Sequence, residues 1–293
     1  MYHIFQGATI DEASEQRLKK IGFKDTLIWG MLYNFQQDAV LGAIDKIETY
    51  GGCIIADSVG LGKTFEALAV IKYYQMRNDR VLVLCPKKLR DNWIVYGQND
   101  IRNILAKDRF NFDVLNHTDL SRENGFSDDI NLETVNWGNY DLIIIDESHN
   151  FRNNPPKRDG ITRYQRLMND IIKTGVETKV LMLSATPGNT RMNDIKNQIA
   201  FITEQNDSAL AAFGISSIDI ILRKAQQRFN AWLRTRDGDN FNRDSLIESL
   251  DGSYFRILDL LTIARSRKHI QKYYDVTDIG QFPERLVPDT KSD

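Results

Sequence analysis

The residues best suited to chemistry form a glycine-rich loop that follows an apolar run. From Asp57 to Thr64 the chain reads Asp-Ser-Val-Gly-Leu-Gly-Lys-Thr, directly after Cys53-Ile54-Ile55-Ala56. Between a strand and a helix, such glycines let backbone N–H groups converge on phosphate oxygens, and the helix N-terminus adds a favourable dipole. Lys63 would reach the β- and γ-phosphates, and the Thr64 hydroxyl would ligate magnesium. The general pattern has glycine in place of Asp57, so a glycine-rich turn before an ordinary helix is an alternative.

A second candidate group is the acidic pair Asp146-Glu147, which follows the apolar run from Leu142 to Ile145. A nucleotide triphosphatase needs one carboxylate that holds magnesium and another that polarises the attacking water. In an extended chain adjacent side chains point to opposite sides, so we expect one of the two carboxylates to face the metal and the other the γ-phosphate. A surface Asp-Glu pair after a strand is common on its own, and the upstream glycine loop is what favours catalysis.

These groups need a sheet that brings them together, and the apolar pattern predicts one. Runs that are apolar on both faces indicate buried parallel strands. Four are strong, over residues 53–56, 80–85, 141–146 and 179–184, and residues 112–115 form a weaker one. They alternate with helical patterns, including residues 34–50 and 63–76. The sequence therefore predicts an α/β fold with a doubly wound, mostly parallel sheet.

Polar or turn-forming residues follow each strong run. Besides the glycine loop they are Pro86-Lys87-Lys88, Asp146-Glu147-Ser148-His149 and Ser184-Ala185-Thr186-Pro187. The carboxyl ends of parallel strands share one edge, where open α/β sheets bind ligands. The Pro86-Lys87-Lys88 segment offers N–H groups and charge to nucleic-acid phosphates, and a solvated pair of lysines is the alternative. Small polar residues at a strand end, such as Ser184 and Thr186, can cap the next helix.

The C-terminal third has a different character. No strand pattern occurs beyond Phe201, and residues 206–272 are predicted to be helical, with a break at 237–240. From Leu222 to Lys272 there are 11 lysines and arginines against 6 aspartates and glutamates, whereas the whole chain has a formal charge of -2. A basic extension of this kind suits a grip on duplex nucleic acid. Solvated helix faces are the alternative.

Composition narrows the class of protein. With 42% hydrophobic and 27% charged residues, the chain is predicted to be globular, not disordered or fibrous. Its two cysteines, Cys53 and Cys85, lie in apolar runs, which predicts buried thiols and a reducing compartment. No apolar run approaches the roughly 18 residues of a membrane span, and the N-terminus has no signal pattern. We therefore expect a cytoplasmic protein without a membrane partner.

The glycine loop and the acidic pair resemble motifs of the superfamily 2 helicases and translocases of DEAD/DEAH-box type. The segment from Asp57 to Thr64 is similar to motif I in the D-E-x-G-L-G-K-T form of the Swi/Snf-like branch, where Asp57 is the expected residue. The segment from Asp146 to His149 resembles motif II, with Ser148 in place of the usual alanine. The resemblance spans about residues 30 to 272.

Other segments fit the same family in the same order. Ser184-Ala185-Thr186-Pro187 with Asn189 resembles motif III, and Leu84-Cys85-Pro86 with Trp93 downstream resembles motif Ia. Gln36 resembles the glutamine that reads adenine, for which an amide offers both a donor and an acceptor. Arg265-Ser266-Arg267-Lys268-His269-Ile270 resembles the segment that leaves the first lobe towards a second.

The resemblance implies ATP and Mg²⁺ as cofactors and assigns roles to named residues. Catalysis would involve Lys63, Asp146 and Glu147. Nucleotide binding would involve Gln36, Gly60, Gly62, Lys63, Thr64 and Phe65, and magnesium would be held by Thr64 and Asp146, partly through water. His149, Ser184 and Thr186 would couple the nucleotide site to the nucleic-acid track, and Pro86, Lys87 and Lys88 would contact nucleic acid.

The resemblance also implies a division of the chain. Residues 1–30 would be an N-terminal linker or extension, 31–205 a first RecA-like ATP-binding lobe, 206–272 a helical, locally basic extension, and 273–293 a linker towards a second lobe. No second-lobe motif of the form Q-x-x-G-R-x-x-R follows Lys272. Because an arginine from the opposite lobe completes such sites, we expect this chain alone to bind ATP–Mg²⁺ weakly and to hydrolyse it poorly.

The function implied is an ATP-driven motor lobe that moves on or remodels double-stranded DNA, together with a second RecA-like lobe. One alternative is a helicase-like ATPase subunit of a restriction or phage-defence system. A second alternative, from a different class, is a binding module that senses nucleotide without hydrolysing it.

Overall fold

The computed structural model describes residues 18–151, 160–174, 176–184, 194–234 and 243–274. Its strands are β1 (Gly52–Ile55), β2 (Val81–Cys85), β3 (Asp113–Asn116), β4 (Phe126–Ser127), β5 (Ile130–Asn131), β6 (Leu142–Ile145), β7 (Lys179–Leu183) and β8 (Thr262–Ile263). The helices that precede β6 are α1 (Leu27–Met31), α2 (Asn34–Tyr50), α3 (Lys63–Gln75) and α4 (Arg90–Gly97).

The later helices begin with α5, which is α-helical over Arg163–Gln165 and continues as a π-helix over Arg166–Ile172. They continue with α6 (Asp194–Ile202), α7 (Ile218–Arg234), α8 (Arg243–Ser249), α9 (Gly252–Leu261) and α10 (Arg267–Tyr273). Every helix in the described ranges is too short or too polar to span a membrane.

Six strands form one parallel sheet in the order β3-β2-β6-β7-β1-β8. Each predicted strand is present, and its ends agree with the prediction to within one residue. The register places Ile55 beside Leu183 and Leu84 beside Ile145. Because all six strands are parallel, the segments that follow β1, β2, β6 and β7 leave the sheet at the same edge. The predicted α/β fold is confirmed.

Alternate residues of the strands point to two separate cores, one on each face of the sheet. Cys53, Val83 and Ile144 pack against helices α2 and α3 on one face. Ile54, Leu82 and Ile143 pack against α5, α6, α7 and α9 on the other. Strands that are buried on both faces need apolar residues at every position, which is why the runs carry no polar alternation. Helices on both faces make the sheet doubly wound, as predicted.

Two segments differ from the prediction. Residues 206–272 were predicted to form helices with a break at 237–240, but Thr262 and Ile263 form β8 and pair with β1. A strand of two residues is too short to be recognised from its pattern of apolar side chains. It forms here because Thr262 and Ile263 pair with the neighbouring strand β1. Residues 116–138, in which the apolar pattern predicts no strand, contain the antiparallel pair β4–β5.

The boundary drawn at residue 205 remains a prediction. Helix α9 lies beyond it, and yet Ile257 and Leu261 are fully buried in the core beneath the sheet. Part of the region predicted to be an extension therefore packs as an integral layer of the sheet domain. The predicted features within 1–17, 152–159, 185–193, 235–242 and 275–293 lie outside the described residues.

Candidate active site

The glycine loop connects the end of β1 with the start of α3, as predicted. Gly60 and Gly62 both have a φ of 83°, in the left-handed region that favours glycine. The N–H groups of Phe65 and Glu66 donate to Gly62 O at 2.8 and 3.2 Å. The N–H groups of Lys63 and Thr64 precede these bonds at the helix N-terminus, where they are available to an anion. The loop thus has the backbone geometry of a phosphate-binding site.

Gln36 is buried directly behind this loop. Its Nε2 donates to Leu61 O at 2.9 Å, and its Oε1 accepts a bond of 3.0 Å from Tyr33 N. A Cβ atom at Gly62 would lie only 2.3 Å from Gln36 Nε2. The backbone angle at position 62 therefore favours glycine, and a larger residue would also have to displace the Gln36 amide. Gln36 positions the loop, and its predicted contact with adenine stays a prediction.

Lys63 and Thr64, which are expected to contact phosphate and magnesium, lie at the end of the loop. Lys63 Nζ donates to Asp57 O at 2.8 Å, which folds its side chain back over the loop. Thr64 and Phe65 lie in the first turn of α3 and are half-buried. Val59 at the tip of the loop is 64% exposed. The loop is therefore open to solvent, and a nucleotide can reach it from that side.

Asp146 lies immediately after β6 and is held on both sides. Trp93 Nε1 donates to Asp146 Oδ2 at 3.0 Å, and Glu147 N donates to Asp146 Oδ1 at 2.9 Å. Burial raises the pKa of Asp146, while the hydrogen bond from Trp93 and the positive charge of Lys63 oppose that rise. Asp146 and Lys63 therefore lie within electrostatic reach of each other. The sequence places Trp93 after motif Ia but does not predict its hydrogen bond to Asp146.

Glu147 does not continue the strand as an extended residue, contrary to the expectation. Its φ is 50°, so the chain turns sharply after Asp146 and enters the 3₁₀ turn Ser148–Phe151. His149 Nδ1 lies 3.1 Å from Glu147 Oε2. The side chain of His149 thus faces the predicted water-polarising carboxylate.

Ser148, which stands where alanine is usual in the family, has a partner that the sequence did not reveal. It is fully buried, and its Oγ donates to Gln198 Oε1 at 3.3 Å. Gln198 is 1% exposed and lies on α6. This bond ties the acidic turn to the helix that follows the third motif.

The donor set suits Mg²⁺ better than a metal held in an all-protein cage. In the described ranges no three His, Cys, Asp or Glu side chains cluster as a metal site. Mg²⁺ typically binds one or two protein oxygens and takes its remaining ligands from water and nucleotide phosphates. Asp146, whose two oxygens retain free lone pairs beyond the bonds given above, and the Thr64 hydroxyl provide such oxygens. The residues fit an ATP–Mg²⁺ complex.

An ion-pair network beneath the loop was missed by sequence reasoning. Asp57 is fully buried and accepts from Arg265 Nε at 3.0 Å and from Arg265 N at 2.8 Å. Arg265 Nη2 also donates to Glu66 Oε1 at 2.7 Å. Burial, followed by the nearby Asp57 carboxylate, raises the pKa of Glu66 to about 8, and Arg265 opposes that rise. Asp57, which weakened the general pattern, is thus an anchor for Arg265.

The remaining candidates lie along the same edge of the sheet or outside the described residues. Lys87 and Lys88 are exposed in a 3₁₀ turn that follows Pro86 and β2. Ser184 is buried, and its N–H donates to Ile55 O at 3.0 Å. Thr186 lies outside the described residues, as does Asn189.

Comparison with known proteins agrees with this geometry. The family model described as "Type III restriction enzyme, res subunit" matches residues 30–189. The uncharacterized ATP-dependent helicase YqhH of Bacillus subtilis is 29% identical over 160 residues, which are 52% of this chain and 26% of YqhH. SWI/SNF-related matrix-associated actin-dependent regulator of chromatin subfamily A-like protein 1 of Drosophila melanogaster is 30% identical over 180 residues, which are 58% of this chain and 22% of that protein.

The chain thus matches about a quarter of the length of these relatives. The structure of the Sulfolobus solfataricus SWI2/SNF2 ATPase core in complex with dsDNA shares the fold, with a TM-score of 0.50 and 18% identity over 86% of this chain and 47% of that one. The chain belongs to the family described as type III restriction enzyme, res subunit.

Proposed function

We propose that this chain is the ATP-binding motor lobe of a Swi/Snf-like DNA translocase or helicase. It would couple ATP hydrolysis to movement on, or remodelling of, duplex DNA. The observation that carries the proposal is the shared sheet edge on which the phosphate loop and the Asp146-Glu147 turn lie, with Lys63 and Asp146 within electrostatic reach. Binding and hydrolysis of a nucleoside triphosphate need these two groups together.

In this proposal the residues divide the chemistry among them. Lys63 and the N–H groups at the start of α3 bind the phosphates, and Thr64 and Asp146 hold the metal, Asp146 partly through water. Bound Mg²⁺ would neutralise charge on the phosphate oxygens. Glu147 orients the attacking water and accepts its proton. His149 lies beside this carboxylate, with its Nδ1 3.1 Å from Glu147 Oε2.

Duplex DNA is proposed as the track. Lys87 and Lys88 are exposed beside the end of β2, at the same edge of the sheet as the nucleotide site. Lysine side chains and exposed N–H groups at a turn suit contacts with the phosphate backbone, which carry no sequence preference. The related ATPase core from Sulfolobus solfataricus was solved with dsDNA, which favours the same class of partner here.

We also propose that a second RecA-like lobe completes the site. In comparable phosphoryl-transfer enzymes an arginine supplied from across the cleft raises turnover by about 10³–10⁵-fold. Cytoplasmic location is part of the same proposal, because Cys53 and Cys85 are both buried free thiols and free thiols persist in reducing compartments.

The test is an ATPase assay of the protein together with its second lobe, in the presence of duplex DNA, single-stranded DNA or RNA. We expect duplex DNA to stimulate turnover most strongly. Lys63→Ala should lose nucleotide binding, whereas Glu147→Gln should still bind ATP–Mg²⁺ but lose turnover. Unchanged biological activity of Glu147→Gln would instead support a nucleotide sensor. Efficient DNA-stimulated turnover by this chain alone would contradict the need for a second lobe.

A helicase-like subunit of a restriction or phage-defence system is the second candidate, and the family match over residues 30–189 favours it. This candidate predicts that the complete system protects a bacterial host against phage or unmodified plasmid DNA. Plating efficiency would be compared between the wild type and Lys63→Ala. Equal plating by both would exclude this role.

A further inference from the structure

Residues 265–274 contact the phosphate loop at several positions between Asp57 and Leu61. We call these residues the clamp segment. The contact begins at the backbone. Ala56 N donates to Ile263 O at 2.7 Å, and Ser58 N donates to Arg265 O at 3.1 Å. Pairing between β1 and β8 therefore continues beyond both strands into the first residues of the loop. The loop begins as an extended segment because its neighbour holds it there.

The Arg265 side chain then joins three elements of the site. It bonds to Asp57 at the start of the loop, to Glu66 in the first turns of α3, and to the carbonyl oxygen of Phe35 in α2. The side chain is 4% exposed, and those of Asp57 and Glu66 are fully buried. A guanidinium can serve three acceptors in fixed directions, which an ammonium cannot. Arg265 thus fixes the loop relative to both helices that flank it.

Helix α10 adds contacts to the middle of the loop. Arg267 Nη2 donates to Val59 O at 3.2 Å, and Ile270 packs with Leu61 and Phe35 in a small buried cluster. Tyr274 packs against Phe35, with ring centroids 6.0 Å apart. The loop therefore cannot change its position at Asp57, Val59 or Leu61 without disturbing a contact of the clamp segment.

We propose that Arg265 is a positioning residue for the phosphate loop and that the clamp segment transmits nucleotide occupancy of the loop to helix α10. Close-packed groups shift between discrete arrangements instead of deforming continuously. A change in the loop on ATP binding is thus passed to α10, which precedes the segment predicted to lead to the second lobe. This inference rests on the proposed nucleotide site and adds the route by which occupancy of that site is sensed.

The test measures amide hydrogen exchange of the chain with and without the non-hydrolysable analogue AMP-PNP and Mg²⁺, together with the affinity for a fluorescent ATP analogue. In the wild type, AMP-PNP should slow exchange in both the loop and α10. Arg265→Lys keeps the charge but loses the forked geometry. We expect it to weaken nucleotide affinity by about tenfold, as charge-assisted hydrogen bonds are lost, and to abolish the response of α10.

The matched control is Arg166→Lys. Arg166 is 9% exposed and donates to the carbonyl oxygens of Leu120 and Arg122, away from the phosphate loop. This variant should lower stability while leaving nucleotide affinity and the response of α10 unchanged. If Arg265→Lys does not fold, the neutral pair Asp57→Asn with Arg265→Gln replaces it, and the same losses are expected.

The outcomes separate this inference from the proposed function. Wild-type binding of AMP-PNP without any change in α10 would overturn the coupling alone. Wild-type affinity in Arg265→Lys, or in the neutral pair, would overturn the positioning role. Absence of nucleotide binding by the wild type, with Lys63→Ala indistinguishable from it, would overturn the proposed nucleotide site and the coupling with it.

Discussion

The indole Nε1 of Trp93 donates a 3.0 Å hydrogen bond to Oδ2 of Asp146, which joins helix α4 to the acidic end of β6. Trp93 is 1% exposed, so the donor of this bond is shielded from water, whereas Asp146 is half-buried. Since an indole N–H can only donate, it matches an ionised carboxylate and not a protonated oxygen that would itself donate. The protein thus orients its predicted metal ligand with a residue 53 positions away in sequence.

Trp93→Phe should weaken the effect of Mg²⁺ on nucleotide binding. The substitution keeps most of the buried ring but removes the donor to Asp146. Hydrogen bonds to charged groups contribute about 1.5–3 kcal/mol, so the gain in ATP affinity on adding Mg²⁺ should fall by about tenfold. A Mg²⁺ titration with a fluorescent ATP analogue measures this. Trp137→Phe is the control, because Trp137 packs near Arg166 instead; an unaltered Mg²⁺ titration of Trp93→Phe would contradict the assignment.

Gly62→Ala should disrupt the phosphate loop. At a φ of 83° the alanine would incur about 1–2 kcal/mol of backbone strain, and its Cβ would lie 2.3 Å from Gln36 Nε2. We expect loss of nucleotide binding together with a lower urea midpoint. Gly30→Ala is the matched control: a Cβ there has nothing within 4 Å, and helix α1 should gain about 0.5–1 kcal/mol. Normal nucleotide binding by Gly62→Ala would refute the geometry of the loop.

Gln36→Ala separates two roles for this amide. Both its polar atoms are engaged with the chain itself, at Leu61 O and Tyr33 N. Loss of a loop-positioning residue should weaken ATP and GTP equally, by about tenfold if each of the two hydrogen bonds contributes 0.5–1.5 kcal/mol. Competition binding with both nucleotides measures the ratio. Selective loss of ATP affinity would instead restore the adenine-reading role. Gln37→Ala is the control: the Gln37 amide donates to Trp29 O and Leu32 O and not to the loop, so this variant should change the affinity for neither nucleotide.

Cys53 should not react with thiol reagents in the folded chain, and it should make the folded chain less stable at alkaline pH. Burial raises the pKa of this thiol from 9.0 to about 12. Because of this raised pKa, the Cys53 thiol loses its proton at a lower pH in the unfolded chain than in the folded chain. The free energy of unfolding is therefore undiminished below pH 9 and falls as the pH rises from 9 towards 12. Each pH unit in that window costs about 1.4 kcal/mol.

Urea unfolding at pH 8 and pH 10 checks this prediction. Cys53→Ala should lose less stability than the wild type between these two values. A disulfide reagent at pH 8 should modify Cys53 only after urea is added. Fast modification of the folded chain would show that the thiol is not buried.

The sheet was predictable because its strands are buried on both faces. The apolar runs around Ile54, Val83, Ile144 and Leu181 need no tertiary information to be recognised, since burial on two faces admits only apolar side chains. The positions of Lys63, Thr64 and Asp146 followed, because each lies immediately after such a run and parallel strands end at one edge. These parts of the fold and of the candidate site are local in sequence.

The unpredicted parts depend on contacts between distant segments. Arg265 and Asp57 are 208 positions apart, and nothing near either residue indicates the other. Strand β8 exists only because β1 offers a free edge to Thr262 and Ile263. The left-handed turn at Glu147 is likewise not indicated by the propensity of glutamate, and Ser148, the next residue, is bonded to Gln198 on α6, 50 positions away. The family resemblance placed Arg265 in the segment that leaves the first lobe, and it gave no indication that Arg265 pairs with Asp57 beneath the loop.

The pairing of β8 with β1 has a consequence for synthesis of the chain on the ribosome. During synthesis the N-terminal parts of a chain leave the ribosome and fold first. Asp57, at the start of the phosphate loop, emerges 208 residues before Arg265. Until then β1 is an open edge of the sheet and Asp57 has no counter-ion. The nucleotide site is therefore among the last parts of the lobe to mature, and a nascent chain that lacks Arg265 would not yet be able to hold ATP.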